Sequence, residues 1–260
     1  MEIFLLIGCI AGILAGLLGV GGGIVLVPIL AWFFQTNSII PDTNLMQVAI
    51  GTTLATIVIT SISSIITHHQ HKAVLWNIAW KLTPGIILGA LFGAVIASIL
   101  PSKFLYNFFA IFILFAAIQL AFNIYPTVHR KLPYQAVMSL VGTIIGLISA
   151  LVGIGGGSMT VPFLVWCNIS VRNAVATSAV CGFPIAVAGT IGFMITGWQT
   201  TGNLGTYIYW PAFIGIAPAS LLFAPLGAKL AHTIPTAMLK KFFAIFLVAV
   251  SCKMLIGLNI

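Results

Sequence analysis

The chain has 260 residues, of which 61% are hydrophobic and 5% are charged, whereas about 25% charged residues is normal for a soluble globular domain. This composition excludes a soluble fold and predicts a membrane protein. The net charge of +8 would favour nucleic acid as a partner in a soluble protein. Here the basic residues fall in short loops and at helix ends, where they report membrane orientation, so we expect no nucleic acid partner.

Eight apolar runs occupy almost the whole chain. Runs of this kind are candidates for crossing a bilayer, because a hydrocarbon core of about 30 Å needs about 20 helical residues. The first run is unlike a secretory signal peptide, since it is long and its one early charge is that of Glu2. The runs comprise residues 3–34, 47–67, 76–100, 104–124, 135–167, 173–196, 205–232 and 236–258.

A triple glycine occurs twice, at residues 21–23 and again 134 residues later at residues 155–157. Each glycine costs about 1 kcal/mol relative to alanine in a helix interior, so three together predict a break in the helix. The same offset relates Trp76 to Trp210 and many other positions. We therefore predict two repeats, residues 1–126 and 127–260, within one integrated membrane domain.

The basic residues distinguish between two arrangements of the glycine-rich runs. If each of these runs crosses the membrane once, the ten Lys and Arg residues divide five against five between the two sides. If each is a hairpin that turns at its glycines and returns, eight of them share one side, as a cytoplasmic bias requires. These eight are Lys72, Lys81, Arg130, Lys131, Arg172, Lys229, Lys240 and Lys241, with Lys103 and Lys253 on the other side.

We therefore predict an all-α polytopic membrane protein of two inverted repeats, each a glycine-broken re-entrant hairpin followed by three transmembrane helices. Counted conventionally, this gives eight helical segments. The hairpins, residues 3–34 and 135–167, are too long for one upright span and too short for two. An odd number of spans in each half inverts the second half and leaves both termini outside. Eight simple spans with parallel halves are the alternative.

The polar residues within the apolar runs suit an anion better than a cation. The only acidic residues are Glu2 and Asp42, near the N-terminus and in a loop, so no intramembrane carboxylate is available for sodium or protons. Glycines let a ligand approach backbone N–H groups, and a helix that restarts after them presents its positive end. Pro28 and Pro162 suit an early turn of such a helix. The candidate substrate-binding residues are Gly21, Gly22, Gly23, Gly155, Gly156, Gly157 and Ser158.

Two matched hydroxyl pairs complete the candidate site: Thr52-Thr53 and, 125 residues later, Thr177-Ser178. They lie in the helices that follow the hairpins, and we expect them next to the glycine turns. Alternatively, their hydroxyls bond back to the carbonyl four residues earlier in the same helix and contact no ligand. The Gly8-x-x-x-Gly12-x-x-x-Gly16 series, in contrast, is typical of close helix packing.

Four residues at one end of the apolar runs could attract anions, although fixing the membrane orientation is their simpler role. They are His68, His71, Lys72 and Arg172. The four cysteines have no CxxC spacing and no counterparts in the other half, which favours buried thiols over redox chemistry. We expect no catalytic residue, no metal ligand and no cofactor.

The paired glycine motifs, the Ala-x-x-Thr-[Thr/Ser] element and a Gly-Ala-x-[Ile/Leu]-Ala segment together resemble the TauE/SafE family, also called the sulfite exporter or toluene-sulfonate uptake permease group, over essentially the whole chain. The resemblance implies a multi-pass inner-membrane carrier of sulfur-containing anions such as sulfite, sulfoacetate or other organosulfonates, often exporting them. The chain departs from the repeated motif at Ala150, which stands where the first copy has Gly16. The family motif corresponds to Gly19, Gly21, Gly22, Gly23 and Pro28, and again to Gly153, Gly155, Gly156, Gly157 and Pro162.

These observations predict a secondary transporter, not an enzyme, that moves a small anion across the bilayer by alternating access around the two glycine turns. Export needs no coupling ion, because a monovalent anion that leaves across about 100 mV, inside negative, gains about 2.3 kcal/mol. A channel-like anion pathway is the near alternative, and a membrane thiol or redox protein is a more distant one.

Overall fold

The computed structural model describes residues 2–18, 22–122, 132–200, 206–233 and 236–256, and within these ranges it contains helices and loops but no strand. The all-helical fold expected of a polytopic membrane protein is confirmed. The helices in chain order are α1 (Glu2–Leu18), α2 (Gly23–Thr36), α3 (Leu45–Gln70), α4 (Trp76–Ile99), α5 (Ser102–Phe122), α6 (Gln135–Val152), α7 (Gly157–Trp166), α8 (Val171–Thr200), α9 (Trp210–Thr233) and α10 (Thr236–Ile256).

Both glycine-rich runs are divided into two helices at their glycines. The second glycine turn, residues 153–156, joins α6 to α7 and contains two positive φ angles, 74° at Gly153 and 77° at Gly156. Side chains with a Cβ rarely adopt such angles, so the turn requires glycine there. The first glycine turn, residues 19–22, joins α1 to α2; its Gly22 is described, whereas Gly19 and Gly21 lie outside the described residues.

Each restarting helix begins at the last glycine of its triplet, which corrects one expectation. Pro28 and Pro162 are the sixth residues of α2 and α7, not members of the first turn. The prediction was wrong because Gly23 and Gly157 are themselves helical. A proline at the sixth position has no N–H for the bond to the carbonyl four residues earlier, so each proline weakens the helix one turn after the glycines.

Five helices in the described ranges are long and apolar enough to cross a membrane: α3, α4, α5, α6 and α8. Many of their large apolar side chains face outward, as contact with lipid tails requires. The six tryptophans are exposed to at least 37% and lie near helix ends, the position of an interfacial aromatic belt. They are Trp32, Trp76, Trp80, Trp166, Trp198 and Trp210.

The helices run between two ends of the molecule. Helices α3 and α8 pack antiparallel, because Gly51 in α3 contacts Phe193 in α8 whereas Leu54 contacts Gly189. The end of α3 therefore meets the start of α8. We call this the basic end; it carries His68, His71, Lys72, Lys81 and Arg172, whereas Glu2, Asp42, Lys103 and Lys253 lie at the opposite end. Arg130 and Lys131 lie outside the described residues.

The start of α1 and the end of α2 both lie at the end of the molecule opposite the basic end. The ring centroid of Phe4, near the start of α1, lies 5.0 Å from that of Phe33, near the end of α2. Helices α6 and α7 share the basic end: α6 runs parallel to α4, since Gly85 faces Ser139 and Gly89 faces Thr143, and α7 is joined by residues 167–170 to the start of α8. Each glycine-rich run therefore forms two helices that return to the end where the run began.

The glycine series outside the turns serves close helix packing, as interpreted from its spacing. In α1, Gly8 and Gly12 lie against the backbone of Ile216 and Ser220 in α9. Their counterparts Gly142 and Gly146 in α6 lie against the backbone of Leu82 and Ile86 in α4. All of these positions match at the offset of 134, so the two most extensive helix pairings, α4 with α6 and α1 with α9, are equivalent.

Candidate functional site

The start of α2, directly after the first glycine turn, meets the second glycine turn. A Cβ at Gly23 would collide with the carbonyl oxygen of Gly153, and a Cβ at Gly153 would lie 2.8 Å from Cγ2 of Val27. From α8, Gly182 approaches the carbonyl oxygen of Gly155 in the same way. At Gly23 and Gly182 backbone therefore meets backbone and glycine is needed for space, whereas Gly153 is needed for its backbone conformation as well.

The second turn presents unpaired N–H groups. Within it, the N–H of Ile154 donates to the carbonyl of Ser149 at 3.0 Å, and that of Gly156 donates to the carbonyl of Ile154 at 2.9 Å. No acceptor among the described residues bonds the N–H groups of Gly155, Gly157 and Ser158. The last two open α7, where helix geometry leaves the first N–H groups without an intrahelical partner and the helix dipole is positive.

Three hydroxyls beside the second turn are also unpaired. The oxygens of Ser149, Ser158 and Thr160 are buried and have no hydrogen-bond partner, although Ser149 is 3% exposed and Thr160 is 0% exposed. Oγ1 of Thr160 lies 3.5 Å from the position of a Cβ on Gly156, so it is at the turn itself. An unsatisfied buried polar group costs about 1–3 kcal/mol. Three of them within twelve residues indicate a ligand position.

Sequence reasoning identified only one of these three hydroxyls. Ser158 follows the triple glycine directly. Ser149 and Thr160 lie in apolar helices, where a hydroxyl ordinarily bonds back to its own helix, so the sequence did not mark them as binding residues. One signal was present in the sequence. The counterparts of Ser149 and Thr160 at the offset of 134 are Ala15 and Leu26, so the second half has hydroxyls where the first half is apolar.

The hydroxyls of Thr52 and Thr177 connect the two halves. Oγ1 of Thr52 accepts the N–H of Tyr209 at 2.9 Å, and Oγ1 of Thr177 accepts the N–H of Leu75 at 3.1 Å. The two threonines match at the offset of 125, and the two donors match at the offset of 134. Both threonines are fully buried. Each therefore pairs an amide immediately before a helix of the other half, α9 or α4, which would otherwise be unpaired.

The second members of the pairs have different partners. Oγ1 of Thr53 donates to the carbonyl of Ala49 at 2.8 Å, and Oγ of Ser178 donates to the carbonyl of Val175 at 2.8 Å. Helical spacing puts Thr53 on the face of α3 that carries Ile57, which contacts Gly155, and puts Ser178 one turn before Gly182 on α8. The turn-facing side chains of the pairs thus bond back to their own helices, which was the simpler of the two interpretations.

The predicted anion-attracting residues gather at the basic end, away from the turns. The Arg172 guanidinium donates to the carbonyl of His71 at 3.4 Å, and Lys72 follows with a positive φ of 52°. His68 lies in the last turn of α3, and eleven residues, or about 16 Å of helix, separate it from Ile57 at the glycine turn. These groups can attract an anion to the entrance of a pathway, but they do not contact the glycine turns.

Within the described ranges, no three His, Cys, Asp or Glu side chains are grouped as a metal site would require. The four cysteines, Cys9, Cys167, Cys181 and Cys252, are free thiols. Burial raises the pKa of the Cys167 thiol in the α7–α8 loop, which disfavours the reactive thiolate form.

Comparison with known proteins gives a consistent set of relatives. The sequence profile of the family described as "Sulfite exporter TauE/SafE" matches residues 4–254. A "Probable membrane transporter protein" of Haemophilus influenzae is 36% identical over 96% of each chain. A similarly named protein of Methanocaldococcus jannaschii is 32% identical over 87% of this chain and 82% of its own length. The protein YunE of Bacillus subtilis is 26% identical over 97% of this chain and 96% of its own length. No solved structure matches the chain significantly.

Proposed function

The chain belongs to the sulfite exporter TauE/SafE family, and from that premise we propose that it is a secondary transporter of small sulfur-containing anions such as sulfite, sulfoacetate or other organosulfonates. The observation that carries the proposal is the set of unpaired donors at the second glycine turn, in a chain whose only carboxylates are those of Glu2 and Asp42. Backbone N–H groups and hydroxyls bind an anion without the cost of about 2.5–3.5 kcal/mol of a Lys or Arg at mid-membrane.

The proposed site comprises both glycine turns and the hydroxyl pairs beside them. Thr53 and Ser178 lie on the helix faces that contact the second turn, and the close contact of Gly23 with Gly153 brings the first turn to the same place. Thr52 and Thr177 use their oxygens as acceptors between the halves, so their O–H protons remain available to a substrate.

The proposal includes two inverted repeats, each with a re-entrant hairpin. In its support, each pair of glycine-separated helices returns to its end of origin, the two pairs do so at opposite ends, and α3 is antiparallel to α8. Irregular backbone at membrane depth is tolerated where it is buried in protein, and Gly22 and residues 153–156 are buried. Eight segments result when each hairpin is counted as one.

We assign the basic end to the cytoplasm and both termini to the outside of the inner membrane. Lys72, Lys81 and Arg172 share the basic end, whereas Lys103 and Lys253 lie at the opposite end, where Nζ of Lys253 is 5.0 Å from the ring centroid of Trp32. A periplasm-active reporter fused after residue 260 should be active, and a cytoplasm-active reporter there should be silent. The reverse pattern would contradict the orientation.

Alternating access would follow from rocking of one helix group against the other around the fixed turns. The bonds from Tyr209 to Thr52 and from Leu75 to Thr177 join the halves on either side of the centre, so each is a contact that such rocking can form or break. Export of a monovalent anion across about 100 mV, inside negative, is favourable by about 2.3 kcal/mol and requires no coupled ion.

Purified protein in liposomes tests the function directly. We expect saturable flux of sulfite or sulfoacetate, and a raised melting temperature of the detergent-solubilised protein with at least one of sulfite, sulfoacetate, sulfate, taurine and phosphate. Protein-free liposomes are the control. Flux that does not saturate would instead favour the channel-like pathway, and binding of a cation in place of every anion would refute the proposal.

A further inference from the structure

We infer that the transported anion is held on one side of the centre only, by the second glycine turn, through the hydroxyls of Ser149, Ser158 and Thr160 together with the free N–H groups at the start of α7. This inference depends on the proposed function, and it narrows the proposed binding region, the two glycine turns with the hydroxyl pairs, to the second turn. It narrows the ligand to a small oxyanion without a cationic group. It also assigns binding roles to Ser149 and Thr160, which neither the glycine motif nor the Thr/Ser pairs include.

Unpaired polar atoms carry the argument. Two elements, α6 and α7, contribute buried hydroxyls without partners: Ser149 lies one helical turn before Gly153, and Ser158 and Thr160 lie in the first turn of α7. Between them lie the unbonded N–H groups of Gly155 and Gly157. A helix start alone is a weak indication of a ligand. Here, however, unpartnered buried hydroxyls lie both before the turn and in the first turn of α7, and each has a hydrogen to donate.

The first glycine turn lacks all three hydroxyls. The counterparts of Ser149, Ser158 and Thr160 are Ala15, Ile24 and Leu26. Ile24 and Leu26 are 5% and 2% exposed and belong to the apolar core. At these three positions, the first half therefore offers an anion no side-chain hydrogen bond.

The surroundings of the second turn define what the ligand can be. Cγ2 of Ile57 lies 3.3 Å from the position of a Cβ on Gly155, and Ile185 closes over Gly156, so the turn is bounded by apolar groups. Hydrogen bonds from neutral donors to an anion are stronger in such a low-dielectric place. The two carboxylates of the chain are exposed at the opposite end, so an ammonium group on the ligand would have no charged partner. Sulfite and sulfoacetate fit; the zwitterion taurine does not.

Isosteric variants test the site in the full-length protein. Thr160→Val and Ser149→Ala should each raise the Kd for sulfite or sulfoacetate about tenfold or more, because each removes a hydrogen bond to a charged group. The matched control is Thr83→Val, since the Thr83 hydroxyl is already bonded to the carbonyl of Ala79 at 2.8 Å. The control should change the Kd less than twofold. Thr160→Ser should keep most of the affinity, which a merely structural methyl contact would not predict.

The outcomes separate this site from the proposed function. If the wild type binds an anion and both turn variants bind it equally well, the one-sided site is wrong while anion transport stands. If the wild type binds none of sulfite, sulfoacetate, sulfate and phosphate, the proposed function fails and the site fails with it. Binding of taurine as tight as that of sulfoacetate would contradict the charge selectivity. Melting temperatures measured without ligand identify a variant that is misfolded. In that case the Kd of Thr160→Ser decides whether the Thr160 hydroxyl binds the anion.

Discussion

The two glycine turns hold equivalent places between helices, but the side chains next to them in the sequence differ. Each lies between two helices, the second of which starts at the last glycine of a triplet, and Gly23 at the start of α2 meets Gly153 of the second turn. Around the first turn the side chains are apolar, as at Ile24 and Leu26, whereas around the second they are hydroxyls, as at Ser158 and Thr160. The two repeats thus share the glycines of the turns and differ in the groups that a ligand would contact.

The two helices beside the turns differ in the same way. Ile57 of α3 and Gly182 of α8 are counterparts at the offset of 125, and both lie against Gly155. From α3 a bulky side chain covers the second turn, whereas from α8 the backbone itself approaches it. Two equivalent positions, Ile57 and Gly182, therefore contact the second turn differently, one through an apolar side chain and the other through its backbone. Position in a repeat predicts the location of a residue better than its role.

The largest expected effect comes from filling the turns themselves. Gly156→Leu should abolish transport, because the side chain would occupy the space of Ile185 and φ is 77° at this position. Gly22→Leu should do the same at the first turn, although φ is −59° at Gly22, a value that any residue adopts. Gly22→Ala should therefore be tolerated better than Gly156→Ala.

Flux assays on membranes with equal amounts of inserted protein measure this difference. The lipid-facing substitution Val95→Leu is the control, since Val95 is 43% exposed. Near-normal flux by Gly156→Leu would show that the second turn only packs helices.

The next effect separates binding from packing at matched positions. Ser158→Ala should raise the Kd for sulfite or sulfoacetate about tenfold with little change in melting temperature. Ile24→Ala, at the counterpart position, should leave the Kd unchanged but destabilise the protein by about 2–5 kcal/mol, because it removes a buried side chain from the core. Titration of both variants and their thermal unfolding give the two readouts. Equal losses of affinity would show that both turns bind the substrate.

The smallest effect probes the equivalence of the two halves. Thr52→Val and Thr177→Val each leave one buried amide, of Tyr209 or of Leu75, without its acceptor, and each should lower stability by about 1–3 kcal/mol. Thr52→Ser and Thr177→Ser keep the oxygen and should cost less. Thermal unfolding compares the four variants. A large loss from one valine variant and none from the other would contradict the equivalent roles of these bonds.

Much of the fold followed from the sequence because its signals are local. Three consecutive glycines break a helix wherever they occur, and the breaks at Gly22 and at residues 153–156 are where the triplets predict them. The spacing of Gly8 and Gly12 similarly predicted close helix packing. The positions of Pro28 and Pro162 were misjudged by a few residues, because a glycine was taken to end a turn where it already begins the helix.

The site was predicted less completely, because its residues belong to different helices. The Thr/Ser pairs were treated as units, but Thr52 and Thr177 reach the other half whereas Thr53 and Ser178 bond to their own helices. Helical periodicity separates neighbouring residues by about 100°, so adjacent hydroxyls point in different directions. Nothing in the sequence says which direction meets a partner.

By itself, the sequence determined that this chain is a helical membrane protein with two broken segments and without an internal acid, because composition, glycine runs and charge counts depend on no partner in space. Only the tertiary structure decided which polar groups remain unpaired. Ser149 and Thr160 look like ordinary helix hydroxyls in the sequence, as Thr83 does. Whether such a hydroxyl is satisfied depends on the polar atoms that other helices bring within about 3 Å of it. For the hydroxyls of Ser149 and Thr160, no described residue provides a hydrogen-bond partner.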